Sequence, residues 1–600
     1  MLKRRRPRRL LRRTALTACL AAIWVSLAAQ GPAEEAQKLV RRGITALHNF
    51  EYEDANEAFA RARQIDPGLA LAYWGEAMTY HQTLWRRENL EAARQVLAQL
   101  APTPAARAAR ARTPRERGLL GAVELLFDSG DPTSRRQSYA AAMGRLHASL
   151  PDDNDIAAFY GLALMATVAR GLIGAGEAPE GVGRELAGSA IQTQAAAIFN
   201  DVLSRDPLHP GALHYLLHVY DDPGHARLAL DAARRYATVA NGSSHALHMP
   251  AHIFVQLGLW HEAERSDLAS FEASRQWVER RRLGPAMRNY HAWTWRQYEL
   301  LQLGRFDEAW QALREIEPAA RAEAAATDHT VHHPLLADLS SMRARFAIET
   351  RRWELLAREQ NFGNADELFA IGMSAARTGN TALAEMARAS LATRARSELE
   401  GDLRPAIAIM AQELGALLAL TRGARDEAVT MATTAAHAEL DLPAPFGLPS
   451  PPKPAPELLG EILLDVGRPR EADEWFAHAL ERNANRSLSV LGRARAAAAQ
   501  ADLATAHRWY RELLANYDHA DAGLAELTEA RAALSTAEVS PKGARNVLWP
   551  ILVGLVIVTG AVLWWGLGRR RSSEPLVSKA AARKGTAQTT AKRTKGAKRG

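Results

Sequence analysis

Along most of the chain, apolar positions recur at helical spacing and short glycine turns punctuate them. Gly258-Leu-Trp-His-Glu262-Ala263 matches Gly304-Arg-Phe-Asp-Glu308-Ala309, Gly423-Ala-Arg-Asp-Glu427-Ala428 and Gly467-Arg-Pro-Arg-Glu471-Ala472. Each predicts a tight turn followed by the first residues of an amphipathic helix. An earlier relative is Tyr52-Glu-Asp-Ala55, followed by Phe59, Ala62 and Pro67. Small residues at Ala55 and Ala62 would let two helices approach closely, and the proline ends the unit. Tyr73-Trp74 predicts the opening of the next helix. Alanine and leucine dominate, and runs of Val, Ile and Thr are scarce outside one C-terminal stretch, which is the makeup of an all-helical protein. Six hundred residues exceed one compact core, so an elongated repeat array or several domains is expected.

These motifs resemble the tetratricopeptide repeat (TPR) family across most of residues 35–535. That family's unit is a helix-turn-helix of 34 residues that stacks into a solenoid. The resemblance implies an all-α superhelix whose first helices line a concave groove, where a protein or peptide partner binds. Groove positions follow i, i+3, i+7, i+10 and i+11. A unit starting at Pro210 then presents Gly211, His214, His218, Asp221 and Asp222; one repeat later come His245, His248 and His252. The next unit, set by the QLG turns at Gln256 and Gln302, maps His291, Thr294 and Tyr298 onto those three positions. The same stripe places Glu457, Glu461 and Glu413 inward, and His81 toward the end of an earlier one. The segment HALHMPAHIFVQLGLWHEAE, with HYLLHVYDD upstream, also resembles a subgroup of bacterial repeat proteins; this implies a fold and no particular reaction.

The histidines add chemistry to the pattern. His214 and His218 are four apart, and the same pair returns 34 residues later as His248 and His252. Pairs at i, i+4 share one helix face, and neighbouring helices lie about 8–10 Å apart, so pairs from two units could share an ion. Seven histidines (209, 214, 218, 225, 245, 248 and 252) fall within 44 residues. Imidazole is the commonest metal ligand. Imidazoles with one carboxylate suit a divalent transition metal such as zinc or copper. The expected quartet is His214, His218, His248 and His252, with Asp221 and His245 as alternatives or orienting groups and His291 on the next unit. Pro250 predicts either a kinked helix or a helix that starts there, leaving His245–His248 on the approach. His329, His332 and His333 form a looser cluster expected on a solvent-exposed connection.

Two segments interrupt the repeats. Gly171–Gly183 reads as a flexible loop without the Lys-Ser/Thr of a phosphate-binding loop. Leu442–Pro456 is proline-dense and reads as an extended strap.

Charge is concentrated at the ends. The net charge is +8, yet residues 1–13 alone carry eight positive charges and residues 568–600 a further net +10. The body is therefore mildly acidic, and nucleic-acid binding by the repeats is not expected. A basic run followed by the apolar stretch Thr14–Ala29 reads as an export signal over residues 1–29, with an uncleaved anchor as the alternative. Val547–Leu567 is apolar, uncharged and followed by Arg569-Arg570-Arg571; it is long enough to span a bilayer, with residues 568–600 as a basic, disordered cytoplasmic tail. The repeats would then face the periplasm or outside of a bacterial cytoplasmic membrane. Cys19 is the sole cysteine, so the ectodomain has neither disulfide nor thiolate ligand.

Three roles are thus in view. The leading expectation is a membrane-anchored scaffold without catalysis, which binds a protein or peptide in its groove. A zinc- or copper-binding protein is the alternative, and a metal-dependent enzyme the third.

Overall fold

The computed structural model describes residues 31–168, 182–239, 242–325, 335–359, 363–444 and 447–538. The export signal, most of the Gly171–Gly183 loop, the His329–His333 cluster, the Val547–Leu567 span and the basic tail lie outside the described residues. Within them, the fold is an all-α, TPR-like solenoid. Most helices pack on the next in sequence, and alternate helices also touch: Pro210–Val219 meets Ser244–Gln256, and Ala365–Thr378, Arg404–Thr421, Ala455–Asp465 and Ser487–Ala499 follow in one row. Strand pairing among the described residues is a two-rung antiparallel ladder, His81 opposite Glu88 and Gln82 opposite Arg87.

The sequence motifs act as predicted. Gly258, Gly304, Gly423 and Gly467 all adopt positive φ, and helices begin at Trp260, Phe306, Arg425 and Pro469. At Gly258 the need is double: φ is +66°, and a Cβ would stand 2.5 Å from the carbonyl oxygen of Ala484. Ala55, Phe59 and Ala62 are buried on the Tyr52–Ile65 helix, and Tyr73 and Trp74 lie inside the next helix, which starts earlier, at Ala70. Pro250 sits within a continuous Ser244–Gln256 helix capped by Ser243, so the histidines before it are helical. One described helical stretch, Glu398–Thr421, is long and apolar enough to cross a membrane, but its apolar window is 67% buried and it packs as a core helix.

Repeats far apart in sequence are joined by hydrogen bonds. The indole Nε1 of Trp277 donates to Asp54, and that of Trp260 to the carbonyl of Asn485. Arg486 donates to the Tyr298 hydroxyl, and the Ser487 hydroxyl to the carbonyl of Gln302. Tyr298, a predicted groove position, is thereby buried against Arg486.

Candidate metal centre

Six of the predicted histidines fall into two triads. His214, His218 and His245 form the first; His248, His252 and His291 form the second. Both are built alike. An i, i+4 pair on the first helix of one unit is completed by a histidine near the N-terminus of the next unit's first helix: His245 on Ser244–Gln256, His291 on Tyr290–Gln302. The expected single ion shared by two i, i+4 pairs is therefore replaced by two three-histidine sets. His245 is a full member of the first, whereas Asp221 stands behind the second.

The hydrogen bonds fix where the protons are. Nδ1 of His214 lies 2.6 Å from the carbonyl oxygen of His48, which can only accept, so Nδ1 carries the proton. Its Nε2 is then a bare lone pair, yet the Nε2 atoms of both His218 and His245 stand 3.1 Å from it. In the second triad, Nδ1 of His252 faces Asp221 at 2.6 Å and Nδ1 of His248 faces Asp267 at 2.5 Å. Neutral imidazoles that give Nδ1–H to those carboxylates present two lone pairs to each other across an Nε2–Nε2 separation of 3.0 Å. Lone pairs converge in this way around a cation. Nitrogens bound tetrahedrally at about 2.0–2.1 Å stand about 3.3 Å apart, close to the spacings seen. Carboxylate or carbonyl behind each ring is the usual means of orienting a ligand imidazole.

Burial and like neighbours keep the rings neutral. Desolvation, reinforced by neighbouring imidazoles, holds His214, His218, His245 and His248 well below the ordinary histidine value. The effect crosses between triads: His218 is depressed by His245, His252 and His248. The two sets are also joined covalently at close range. His245 and His248 are three apart on one helix, where Cβ atoms stand about 5–6 Å apart. Aromatic rings wall both: Phe50 and Trp85 beside His245, and Trp295 against His248, His252 and His291. His214 is fully buried, whereas His245 is half-buried and His291 exposed, so each triad has one ligand at its outer edge.

Behind His248, Asp267 is paired with Glu299. Burial raises both carboxyls, and neighbouring Asp267 raises Glu299 further. Oδ1 of Asp267 lies 2.5 Å from Nδ1 of His248. Arg296 is paired with Glu264.

The other predicted groove residues lie outside the two triads and are buried, apart from half-buried Glu461. His81 lies on the short ladder, 3.6 Å from Glu88. Thr294 bonds back to the carbonyl of His291. Tyr298 and Glu457 meet Arg486, and Lys453 bridges Glu457 and Glu461. Burial, with the charge of Glu439 beyond it, pushes Glu413 well up, and neither of its oxygens has a hydrogen-bond partner among the described residues. A further group, His48, Asp155 and His209, gathers beside the first triad, but Arg115 already neutralises Asp155 there.

Sequence reasoning missed Asp267, the His48 carbonyl, Phe50, Trp85 and Trp295. Asp267 had a signal: it is an acid in the buried small-residue seam Ala263, Ser270 and Ser274 of its helix. His48 reaches the site from 166 residues away and had none.

No family model and no curated protein matches the chain. Among solved structures it is similar to the yeast Tom70 (14% identity, covering 87% of this chain and 99% of that one, TM-score 0.26). It is likewise similar to the Cut9-Hcn1 hetero-tetramer of APC/C (13% identity, 83% and 96% coverage, TM-score 0.26). With TM-scores this low, neither likeness bears on site or partner.

Proposed function

We propose that this chain is a metalloprotein, an exported and membrane-anchored helical-repeat scaffold whose interior holds two neighbouring transition-metal ions, one on each histidine triad. The observation that carries the reading is the second triad, where His248 and His252 turn their Nε2 atoms toward each other at 3.0 Å while aspartates occupy both Nδ1 atoms. Among the described residues each set offers three imidazole nitrogens, donors that suit a transition-metal ion. The repeats act as the frame: unit-to-unit stacking is what delivers the third histidine to each pair. A partner-binding role would have to use a surface other than the positions occupied around Tyr298 and Glu457.

Elemental analysis of the purified full-length protein tests this directly. Two ions per chain are expected. His214→Ala should lower the count to one and His248→Ala should do the same, and the double variant should bind none. Loading the stripped protein at a thousandfold excess over Kd should add about 4 kcal/mol of stability per ion. Unchanged metal content in the double variant would remove the reading.

A further inference from the structure

We infer that the turn at residues 48–50 is the positioning element of the first triad: the His48 carbonyl selects the tautomer of His214, and ion binding there is linked to docking of the hairpin formed by residues 31–65. The inference rests on the metal-centre reading above and adds how one of its two sites is controlled.

The turn has an uncommon residue at its critical position. The helix of residues 31–48 ends in a cap, in which the Glu51 N–H reaches the carbonyl of Ala46 and the Phe50 N–H that of Leu47. The left-handed residue of such a cap is commonly glycine. Gly258, Gly304, Gly379, Gly423 and Gly467 hold that place in later units, whereas here it is Phe50, at φ +57°. A bulky side chain is disfavoured in that region, and such outliers persist where the surrounding structure holds them. The surroundings here are the site itself. The Phe50 ring stands 4.4 Å from that of His214 and 5.6 Å from that of His245, centre to centre.

The two residues before Phe50 are tied to the same place. Oδ1 of Asn49 accepts from the Tyr236 hydroxyl, and Tyr236 stacks on the His214 ring. The His48 carbonyl accepts the Nδ1 proton of His214 at 2.6 Å. The His48 ring is fixed in turn. Its Nε2 donates to Asp155, which Arg115 also meets, and its Nδ1 accepts from the Tyr215 hydroxyl. Phe159 stacks on it at 4.3 Å, and a Cβ on Gly211 would stand 2.3 Å from its Nδ1. The ring therefore fits where it does because position 211 has no side chain.

His48 is thus a positioning residue, acting on the ion only through His214. A ring that gives Nδ1–H to a carbonyl keeps its Nε2 lone pair for an ion. An ion on Nε2 draws charge from the ring and strengthens the Nδ1–H bond to the turn. Binding and docking therefore favour each other, by the same factor in both directions. In the second triad, Asp221 and Asp267 stand behind the rings instead, so that site should not respond to the turn.

The test is zinc titration of full-length protein stripped with chelator. His48→Ala should weaken the first zinc by about 10–100-fold, the usual worth of an orienting group, and leave the second unchanged. Gly211→Ala displaces the His48 ring with every ligand in place, so it should act in the same direction; it decides the matter if His48→Ala does not fold. His48→Gln can still donate to Asp155 and accept from Tyr215, and should restore most of the affinity. In stripped, ¹⁵N-histidine-labelled protein, His214 should be protonated at Nδ1 alone, and in His48→Ala it should become a mixture of tautomers, which lost packing by itself would not cause. Zinc should also slow amide exchange across residues 47–51, and should not do so in His214→Ala. First-site affinity unchanged in the displaced variants, weakening shared equally by both ions, or exchange at the turn indifferent to zinc overturns the positioning role and leaves the metal centre standing. An unaltered chain that binds no zinc or other transition metal overturns both readings.

Discussion

Two regions of the solenoid bury polar side chains at the same repeat positions, and they resolve that burden in opposite ways. Around Arg486, the carboxylates of Glu349 and Glu457 meet the guanidinium, and Lys453 bridges Glu457 and Glu461. Against burial, which pushes them up, Arg486 and Lys453 hold Glu457 well below the carboxylate range, and Lys453 and Arg351 hold Glu461 at about 2. Opposite charges are supplied from within the chain, and the network closes on itself. Around His214–His291, nitrogens face nitrogens and the nearest carboxylates stand behind the rings. A groove position occupied by a polar residue is therefore not in itself a binding site. What separates the two cases is the group brought opposite: a counter-charge in one, a second imidazole nitrogen in the other.

The sharpest break of that comparison is on the closed side. Arg486→Met leaves Glu349 and Glu457 buried together without their guanidinium, and loss of one partner from such a network costs about 3–5 kcal/mol. Denaturant unfolding of the full chain should show that loss while metal content in the surviving folded fraction is unchanged. A shift under about 1 kcal/mol would mean that the network is not the closed unit described.

On the open side, effects should appear in metal affinity first. Asp221→Asn keeps the shape behind His252 but removes the charge that fixes its Nδ1 proton. Orienting carboxylates of this kind are worth 10–100-fold in affinity. Titration of stripped protein should therefore show the second ion weakened by about that factor and the first unaffected. Equal weakening of both would show that Asp221 acts on the centre as a whole.

Much of this division was legible in the sequence, and the part that was not has a physical reason. Turn glycines, helix starts and the two i, i+4 histidine pairs are local, so spacing along one helix exposes them. The partition into triads depends on which residue of the next unit swings toward the pair, and the intervals differ: 31 residues separate His214 from His245, but 43 separate His248 from His291. The contacts between distant repeats were less legible still. Arg486 reaches Tyr298 across 188 residues and Ser487 reaches Gln302 across 185, contacts set by how successive units turn and not by any repeat period. Thus Glu457 and His248 look alike in sequence and differ in what arrives opposite them.

A smaller effect isolates the lone-pair argument. In stripped protein, His218→Leu removes one of the two nitrogens aimed at the bare Nε2 of His214 and replaces it with an apolar side chain. The cost should stay within about 1 kcal/mol, the value of one ordinary hydrogen bond, while the first ion is no longer bound. A loss of several kcal/mol without metal would instead show that the three imidazoles form a self-sufficient hydrogen-bonded core like the Arg486 network.

The smallest expected effect is on the response to mild acid. Protons displace a metal from imidazole only when pH falls to the ring's own value in the folded protein. Burial and like neighbours hold His214, His218, His245 and His248 well below 6.5, so these rings stay neutral through the range where an ordinary histidine titrates. The sign follows: a lowered value favours the ligand form and moves acid release to lower pH. Both ions should therefore survive equilibrium dialysis at pH 6, with release beginning beneath it, whereas four solvated histidines would already have lost much of their affinity there. Release centred at pH 6.5 or above would place the rings in water and remove the distinction between a buried cluster and a merely histidine-rich surface.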